Sequence, residues 1–119
     1  MNWYVTKIIY QIICGQGEHT AQFDEQIRLI SASDETEAYG KIEVTGYAEE
    51  EVFCNDKQEL VQWKFIGVAE LYKLSHLIDG AEIYSRITEV EDARLYIHGV
   101  RQKAASIREK TTHQLLHLI

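Results

Sequence analysis

Two apolar, aromatic-rich runs in the second half of the chain constrain its fold more than any other feature. They span residues 63–74 and 81–90, and the turn-forming pair Asp79-Gly80 stands just before the second run. Two such runs around a glycine-containing turn are typical of antiparallel strands that pair with each other. We therefore predict a strand pair here, and the rest of the chain has to cover it.

Two long strand patterns precede this pair. Residues 3–14 carry β-branched and aromatic side chains on both faces, which is typical of a strand that is covered on both sides. Residues 20–30 alternate instead. Their pattern predicts Phe23, Ile27 and Leu29 on an apolar face, with the polar residues between them on a wet face.

Helix signals follow the second strand and end the chain. Asp34 with Glu37 resembles a capping box, and Gly46 falls where a glycine just beyond the helix end is expected. A short apolar run at 52–54 then adds a strand. Residues 91–118 open with acidic side chains and carry apolar residues mostly at helical spacing, which predicts a long terminal helix.

These elements predict an α+β fold. The expected architecture is an antiparallel sheet of four or five strands, in the order β-β-α-β-β-β-α, with helices on one face. The 119 residues form a single domain by size, with 106–119 as a helical tail. In the third long strand we expect Trp63, Phe65 and Leu71 to be buried. The small residues Gly67 and Ala69 on the same face predict a close packing contact.

Composition excludes several classes of function. Lys+Arg number 12 and Asp+Glu 19, so the net charge is -7, which disfavours nucleic acid and suits a basic protein partner. No apolar run approaches ~18 residues, so we expect no membrane span. Cys14 and Cys54 form no paired motif, which favours buried, reduced thiols in a cytoplasmic protein.

Polar residues on the predicted sheet form one candidate site. The residues are Glu25, Glu70, Glu82, Tyr84 and Arg86. Glu25 falls on the apolar face of its strand, where it is either an edge glutamate that reaches water or a group at the mouth of a pocket. We predict that Arg86 contacts at least one of the three carboxylates. A ligand pocket and an exposed salt-bridge network both remain open as interpretations.

Other catalytic and metal-binding patterns are weak. His113 and His117 share a helix face, but a zinc site needs three or four ligands and none is nearby, so we predict no metal. The pair Gly15 and Gly17 lacks the third glycine of a dinucleotide loop. No nucleophile motif frames a serine. We therefore predict no cofactor and favour a protein that is not an enzyme.

Two segments are candidates for partner binding. The acidic run Glu49, Glu50 and Glu51 is either a solvated face or a docking site for a basic partner. The chain also ends on four large apolar residues, which predicts that the tail docks on a second copy. The rival prediction is a bend near Thr111 that folds the tail back. The apolar residues are Leu115, Leu116, Leu118 and Ile119.

Several motifs together resemble a family of small bacterial proteins known only as a domain of unknown function. The resemblance covers roughly residues 3–100 and implies a stand-alone cytoplasmic protein. It supplies no activity, cofactor or catalytic residue. The motifs are NWYV with KI at residues 2–8, QFDEQ at 22–26, WKFIGV with EL at 63–71, and DGAE with YSR at 79–86.

The sequence therefore leaves the biochemical function unknown. The leading hypothesis is a non-enzymatic binding or interaction module that works as a homodimer. A second hypothesis is a small-ligand binder or enzyme that uses the pocket around Glu25, Glu82 and Arg86. A third is an immunity-type inhibitor whose acidic run blocks a basic effector.

Overall fold

The chain divides into two compact units, Met1–Tyr84 and Ser85–Ile119. The computed structural model describes the backbone of residues 1–117 and the side chains of residues 1–112. The first unit holds a sheet and one helix, and the second holds one long helix. Each unit is described by itself.

A four-stranded antiparallel sheet forms the first unit, as expected for an α+β fold. The elements are β1 Asn2–Cys14, β2 Gln22–Ala32, α1 Glu35–Ala48, β3 Glu51–Cys54 and β4 Leu60–Leu74. The spatial order of the strands is β2-β1-β4-β3, so β1 is paired on both sides. Helix α1 follows β2 in the chain.

The predicted pairing of residues 63–74 with 81–90 is wrong. Residues 81–90 form no strand, so the element order is β-β-α-β-β-α and the fifth strand is absent from the described chain. Strand β4 pairs instead with β1 along its length and with β3 at its start. Strand β1 occupies the edge of β4 that the sequence pattern assigned to residues 81–90.

One face of the sheet is covered by α1. Tyr4, Thr6, Ile8 and Tyr10 of β1 point to this covered face and are all buried. Helix α1 presents a stripe of buried residues at four-residue spacing, which share one helix face. The stripe consists of Ala38, Ile42 and Gly46.

Strand β2 lies in the opposite orientation to the one predicted. Tyr10 pairs with Asp24 and Ile8 with Gln26, so the polar side chains of β2 share the covered face. Phe23, Ile27 and Leu29 point to the other face, the open face, and are 53%, 51% and 44% exposed. The register with β1 decides the orientation, since residues directly opposite each other project to the same side.

Two register shifts interrupt β4. Phe65 pairs with Tyr10 and Gly67 with Ile9, so an extra residue stands between them, and a second shift follows. Phe65 is buried as predicted, whereas Trp63 and Leu71 are half-buried and pack against the core. The predicted close contact at Gly67 is wrong, because nothing lies within 4 Å of a side chain built there.

The close contact occurs on the helix, at Gly46. A β carbon at this position would lie 2.6 Å from Cζ and 2.7 Å from Cδ1 of Phe65. Gly46 is therefore a residue of close approach within α1 and not the residue beyond its end. At the start of α1 the predicted cap is confirmed, because the side chain of Asp34 accepts from the backbone N–H of Glu37 at 2.8 Å.

The second unit contains α2, Ala93–His117, a helix of 25 residues. Asp92 caps it by accepting from the backbone N–H of Leu95 at 3.1 Å. The helix continues through Thr111, where the rival prediction placed a bend, and the Thr111 hydroxyl donates to the carbonyl of Ile107 at 3.0 Å. Within the part of the chain that is described, neither helix is long and apolar enough to cross a bilayer.

We expect Gly46→Ala to destabilise the protein and Gly40→Ala to stabilise it. The first change forces a methyl group into the Phe65 ring, and overpacking costs about 1–3 kcal/mol. Gly40 has nothing within 4 Å of a built side chain, so alanine there gains roughly 0.5–1 kcal/mol of helix propensity. Urea denaturation of both variants tests the contact. Equal shifts in the same direction would contradict the close approach at Gly46.

We expect Phe65→Ala to cost about 3–5 kcal/mol of unfolding free energy, because the buried ring leaves a cavity. The matched control is the neighbouring Ile66→Ala, whose side chain is exposed and which should cost less than about 1 kcal/mol. Denaturation midpoints measure both. A midpoint near wild type for Phe65→Ala would disprove the assignment of Phe65 to the core.

Candidate functional site

A cleft of about 370 Å³ opens on the covered face of the sheet, beside the end of α1. Tyr10 of β1 and two residues of β2, Gln26 and Arg28, contribute to its lining. The other lining residues come from the end of α1 and from β3 and β4, namely Glu49, Glu51, Phe53 and Trp63. The cleft therefore gathers side chains from all four strands.

Arg28 is held rigidly in this cleft. Its Nη2 and Nη1 donate to the two carboxylate oxygens of Glu49 at 2.9 and 3.0 Å. Its Nε and Nη2 also donate to the amide oxygen of Gln26 at 3.1 and 2.7 Å. A two-pronged guanidinium–carboxylate pair with further hydrogen bonds fixes the orientation of both side chains.

The hydrogen bonds continue across the sheet to β4. Gln26 Nε2 donates to Asp24 Oδ2 at 2.7 Å, and the indole N–H of Trp63 donates to the same oxygen at 3.3 Å. We call the chain of side chains Trp63, Asp24, Gln26, Arg28 and Glu49 the polar ladder. It satisfies the half-buried polar groups of β2, which would otherwise lose hydrogen bonds with water.

Charges in the ladder shift the pKa of its members. The hydrogen bond from Arg28 lowers the pKa of the Glu49 carboxyl, and the same bond raises the pKa of the Arg28 guanidinium. Burial raises the pKa of the Tyr10 phenol, and the negative charge of Glu49 raises it further. These shifts favour the charged forms of Arg28 and Glu49 and the neutral form of Tyr10, which lies beside the ladder.

The aromatic residues form one wall of the cleft. Phe53 and Trp63 stack with ring centroids 6.0 Å apart and ring planes at 22°. Tyr10 lies deeper, where its hydroxyl donates to the carbonyl of Gly46 at 2.7 Å. The cleft thus combines a flat aromatic surface with carboxylates.

The predicted acidic run takes three separate roles. Glu49 pairs with Arg28, and Glu50 Oε2 accepts from the backbone N–H of Phe65 at 2.8 Å. Glu51 lines the cleft and belongs to none of the ion pairs formed by the described residues. Glu49 therefore ties the end of α1 to β2, and Glu50 ties the segment that follows α1 to β4.

On the open face, three residues of the predicted polar cluster, Glu25, Glu70 and Tyr84, lie around Lys7, a cation that sequence reasoning missed. Lys7 Nζ lies 4.0 Å from Glu25 Oε2 and 3.9 Å from Glu70 Oε2. The same atom lies 5.4 Å from the ring centroid of Tyr84. Glu25 and Glu70 are partly exposed, so these pairs contribute little stability by themselves.

A hydrogen bond between Tyr72 and Ile83 connects the segment after β4 to the open face. The Tyr72 hydroxyl donates to the carbonyl of Ile83. Burial raises the pKa of the Tyr72 phenol, with Glu70 as the next contribution and Glu82 as a smaller one. The first unit contains four residues of the predicted polar cluster, namely Glu25, Glu70, Glu82 and Tyr84. Arg86 belongs to the second unit, and its contact with a carboxylate stays a prediction.

The comparison with known protein families shows to which family the chain belongs. The model of a domain of unknown function, DUF4288, matches residues 3–85. The chain belongs to the DUF4288 family. The matched range coincides with the first compact unit, so both the cleft and the Lys7 cluster lie inside the DUF4288 domain. Neither a curated protein nor a solved structure matches the chain.

A second cavity of about 680 Å³ lies at the β1–β2 loop of the DUF4288 domain. His19 fixes this loop, since its Nε2 accepts from the backbone N–H of Cys14 at 3.0 Å and its Nδ1 lies 2.8 Å from the carbonyl oxygen of Thr20. A backbone N–H can only donate, so the proton of this imidazole is on Nδ1. The prediction that both thiols are buried is wrong, because Cys14 is half-buried and Cys54 is exposed.

The remaining predicted site residues lie in or beyond α2. The side chains of His113, His117, Leu115 and Leu116 fall outside the described side chains, and Leu118 and Ile119 lie outside the described residues altogether. Within the described residues no three His, Cys, Asp or Glu side chains are placed to hold a metal ion.

Sequence reasoning missed the polar ladder although its pattern was visible. Asp24, Gln26 and Arg28 alternate on one side of β2, and this alternation predicted a face in water. An edge strand beside a helix offers an environment that is neither core nor water. There, polar groups are half-buried but hydrogen-bonded to one another. Trp63 on β4, two strands away from β2, supplies a donor that completes this network.

We expect Glu49→Gln to destabilise the protein at pH 7, because it removes the charged partner of Arg28. The pKa of Glu49 is lowered from 4.5 in the folded state. Its contribution is therefore present above pH 4.5 and is lost as the pH falls through the folded-state pKa. The stability difference from wild type should shrink in acid.

Urea denaturation between pH 7 and about pH 3 measures this difference. Glu43→Gln, on the same helix, is the matched control, since Glu43 joins none of the ion pairs among the described residues. A Glu49→Gln deficit that is the same at both ends of the range would contradict the ion-pair account.

Proposed function

We propose that the protein is an interaction module that works as a homodimer, joined through the outer edge of β2. The observation that supports this is the position of β2 at the edge of the sheet. Among the described residues β2 pairs only with β1, so the outer edge of this 11-residue strand is paired with no other strand. Exposed edges of this length are templates for another strand.

The apolar side chains of β2 also support association through this strand. Phe23, Ile27 and Leu29 are each 44% or more exposed on the open face. Three large apolar side chains on one face of an edge strand favour association rather than contact with water. A second copy offers the matching surface, because a two-fold interface uses the same patch on both subunits.

The opposite edge of the sheet is less suited to pairing. Strand β3 covers only the start of β4, from Leu60 to Trp63. The rest of β4 is interrupted by its two register shifts. Bulges twist an edge and disturb its ladder, which protects it from pairing. Strand β2 has a continuous register with β1 and no such protection.

Charge selects the register of the proposed β2–β2 pair. In an antiparallel pair related by a two-fold axis, a centre at Glu25 or at Arg28 would place like charges directly opposite each other, which is unfavourable. A centre at Gln26 instead places Asp24 opposite Arg28 of the second copy, and Phe23 opposite Leu29. Both pairs occur twice by symmetry.

The pairing keeps the two faces of the sheet distinct. A two-fold axis that pairs antiparallel strands is perpendicular to the sheet, so both α1 helices lie on one side of a continuous eight-stranded sheet. The apolar rows of the two β2 strands become neighbours on the other side. The tail residues Leu115, Leu116 and Leu118 offer a second route to a dimer, as a competing prediction.

Light scattering coupled to size exclusion tests the dimer. We expect the full chain to run as a dimer and Ile27→Glu to run as a monomer, because position 27 lies opposite Glu25 of the second copy in the proposed register and like charges there oppose pairing. Ile27 is 51% exposed and lies opposite Lys7 within its own sheet, so the folded monomer tolerates a glutamate. Val44→Glu is the matched control, since Val44 is 70% exposed on α1, and this variant should stay dimeric.

A version of the chain ending at Ser106 separates the two routes. The β2 edge predicts that this version stays dimeric, whereas docking of the tail predicts a monomer. A monomeric full chain at high concentration, or a dimeric Ile27→Glu variant, would contradict the proposal.

A further inference from the structure

The cleft beside α1 opens on the covered face of the sheet, and it has the chemistry of a binding site. We propose that it binds an arginine side chain of a basic partner protein. The guanidinium stacks on the wall formed by Phe53 and Trp63 and bonds to the carboxylate of Glu51. This inference goes beyond the proposed dimer, because these three residues lie on β3 and β4 and not on the β2 edge.

The aromatic wall is the first argument. Phe53 and Trp63 present stacked rings at the cleft, and Phe53 remains 44% exposed. A cation over an aromatic face is attracted by the negative charge density of the ring, most strongly for tryptophan. The indole N–H of Trp63 donates to the carboxylate of Asp24 at 3.3 Å. That bond polarises the ring toward greater negative charge and strengthens the attraction.

The charge balance is the second argument. Arg28 is matched by Glu49 through the two-pronged pair, so its positive charge is compensated within the cleft. Asp24 and Glu51 then leave an excess of negative charge around the aromatic wall. An anionic ligand would meet this excess, whereas a cationic one is drawn to it.

The position of Glu51 is the third argument. Glu51 lies directly opposite Trp63 in the pairing of β3 with β4, so both side chains project to the same face. Since Glu51 is in none of the ion pairs of the described residues, its carboxylate is available to a ligand. The wall and the carboxylate therefore flank one space.

Arginine fits this space better than other cations. Its guanidinium is flat, so it stacks on an aromatic ring while its edge donates to a carboxylate, which the lysine ammonium cannot do in the same way. A cleft of about 370 Å³ is at the lower end of the range for small-molecule sites and suits a single side chain. The net charge of -7 also attracts a basic partner at long range.

Tryptophan fluorescence tests the site directly. The chain has two tryptophans, and Trp3→Phe leaves Trp63 as the reporter in the cleft. The probe is a capped glycine–arginine–glycine peptide, with the citrulline peptide as a neutral control of nearly the same shape. At constant ionic strength we expect saturable quenching by the arginine peptide and at least about tenfold weaker binding of the citrulline peptide.

A pair of carboxylate variants locates the effect. Glu51→Gln should weaken binding of the arginine peptide roughly fivefold, the size of a partly exposed charge-assisted bond. Glu25→Gln removes the same charge from the opposite face of the sheet and should leave binding unchanged. Added salt should weaken the arginine peptide more than the citrulline peptide.

Two results would overturn the proposal. One is equal binding of the arginine and citrulline peptides, which would show that charge plays no part. The other is an equal effect of Glu51→Gln and Glu25→Gln, which would show that any attraction is a general property of an acidic protein. Circular dichroism of each variant confirms that it is folded.

Discussion

The approach of the Phe65 ring to the backbone of α1 at Gly46 is the contact on which the rest of the DUF4288 domain depends. Tyr10 reaches the same turn of the helix, with its hydroxyl 2.7 Å from the Gly46 carbonyl oxygen. Tyr47 packs edge-on against Phe65 at 4.7 Å between ring centroids. Because Tyr10 and Phe65 come from neighbouring strands, this cluster fixes which sheet face the helix covers and where its last turn lies.

The candidate sites follow from that placement. Once α1 lies over β1 and β4, the polar side of β2 runs beside the helix, and Arg28 meets Glu49 at the helix end. The same geometry turns the apolar side of β2 outward on an unpaired edge. One contact thus sets both the polar cleft and the apolar edge, which are the two surfaces proposed here for partners.

Much of the fold was predictable from local patterns, and less of the site. The capping pair Asp34 and Glu37, the two long first strands and the terminal helix all carry strong local signals. Residues 81–90 carry an equally strong strand pattern, yet β1 takes the long edge of β4 because pairing is decided between distant segments. Which face of β2 is covered could not be predicted either, because the register with β1 decides it. The approach of Lys7 to Glu25 depends on the same register, which the pattern of a single strand does not reveal.

Nuclear Overhauser contacts of the Phe65 ring test the central claim most directly. The account predicts strong contacts from the ring protons of Phe65 to the α protons of Gly46, together with ring-current shifts of those α protons. It also predicts contacts from Phe65 to the rings of Tyr10 and Tyr47. Contacts from Phe65 to residues 81–90 in place of Gly46 would contradict the account and restore a strand pair at the centre of the sheet.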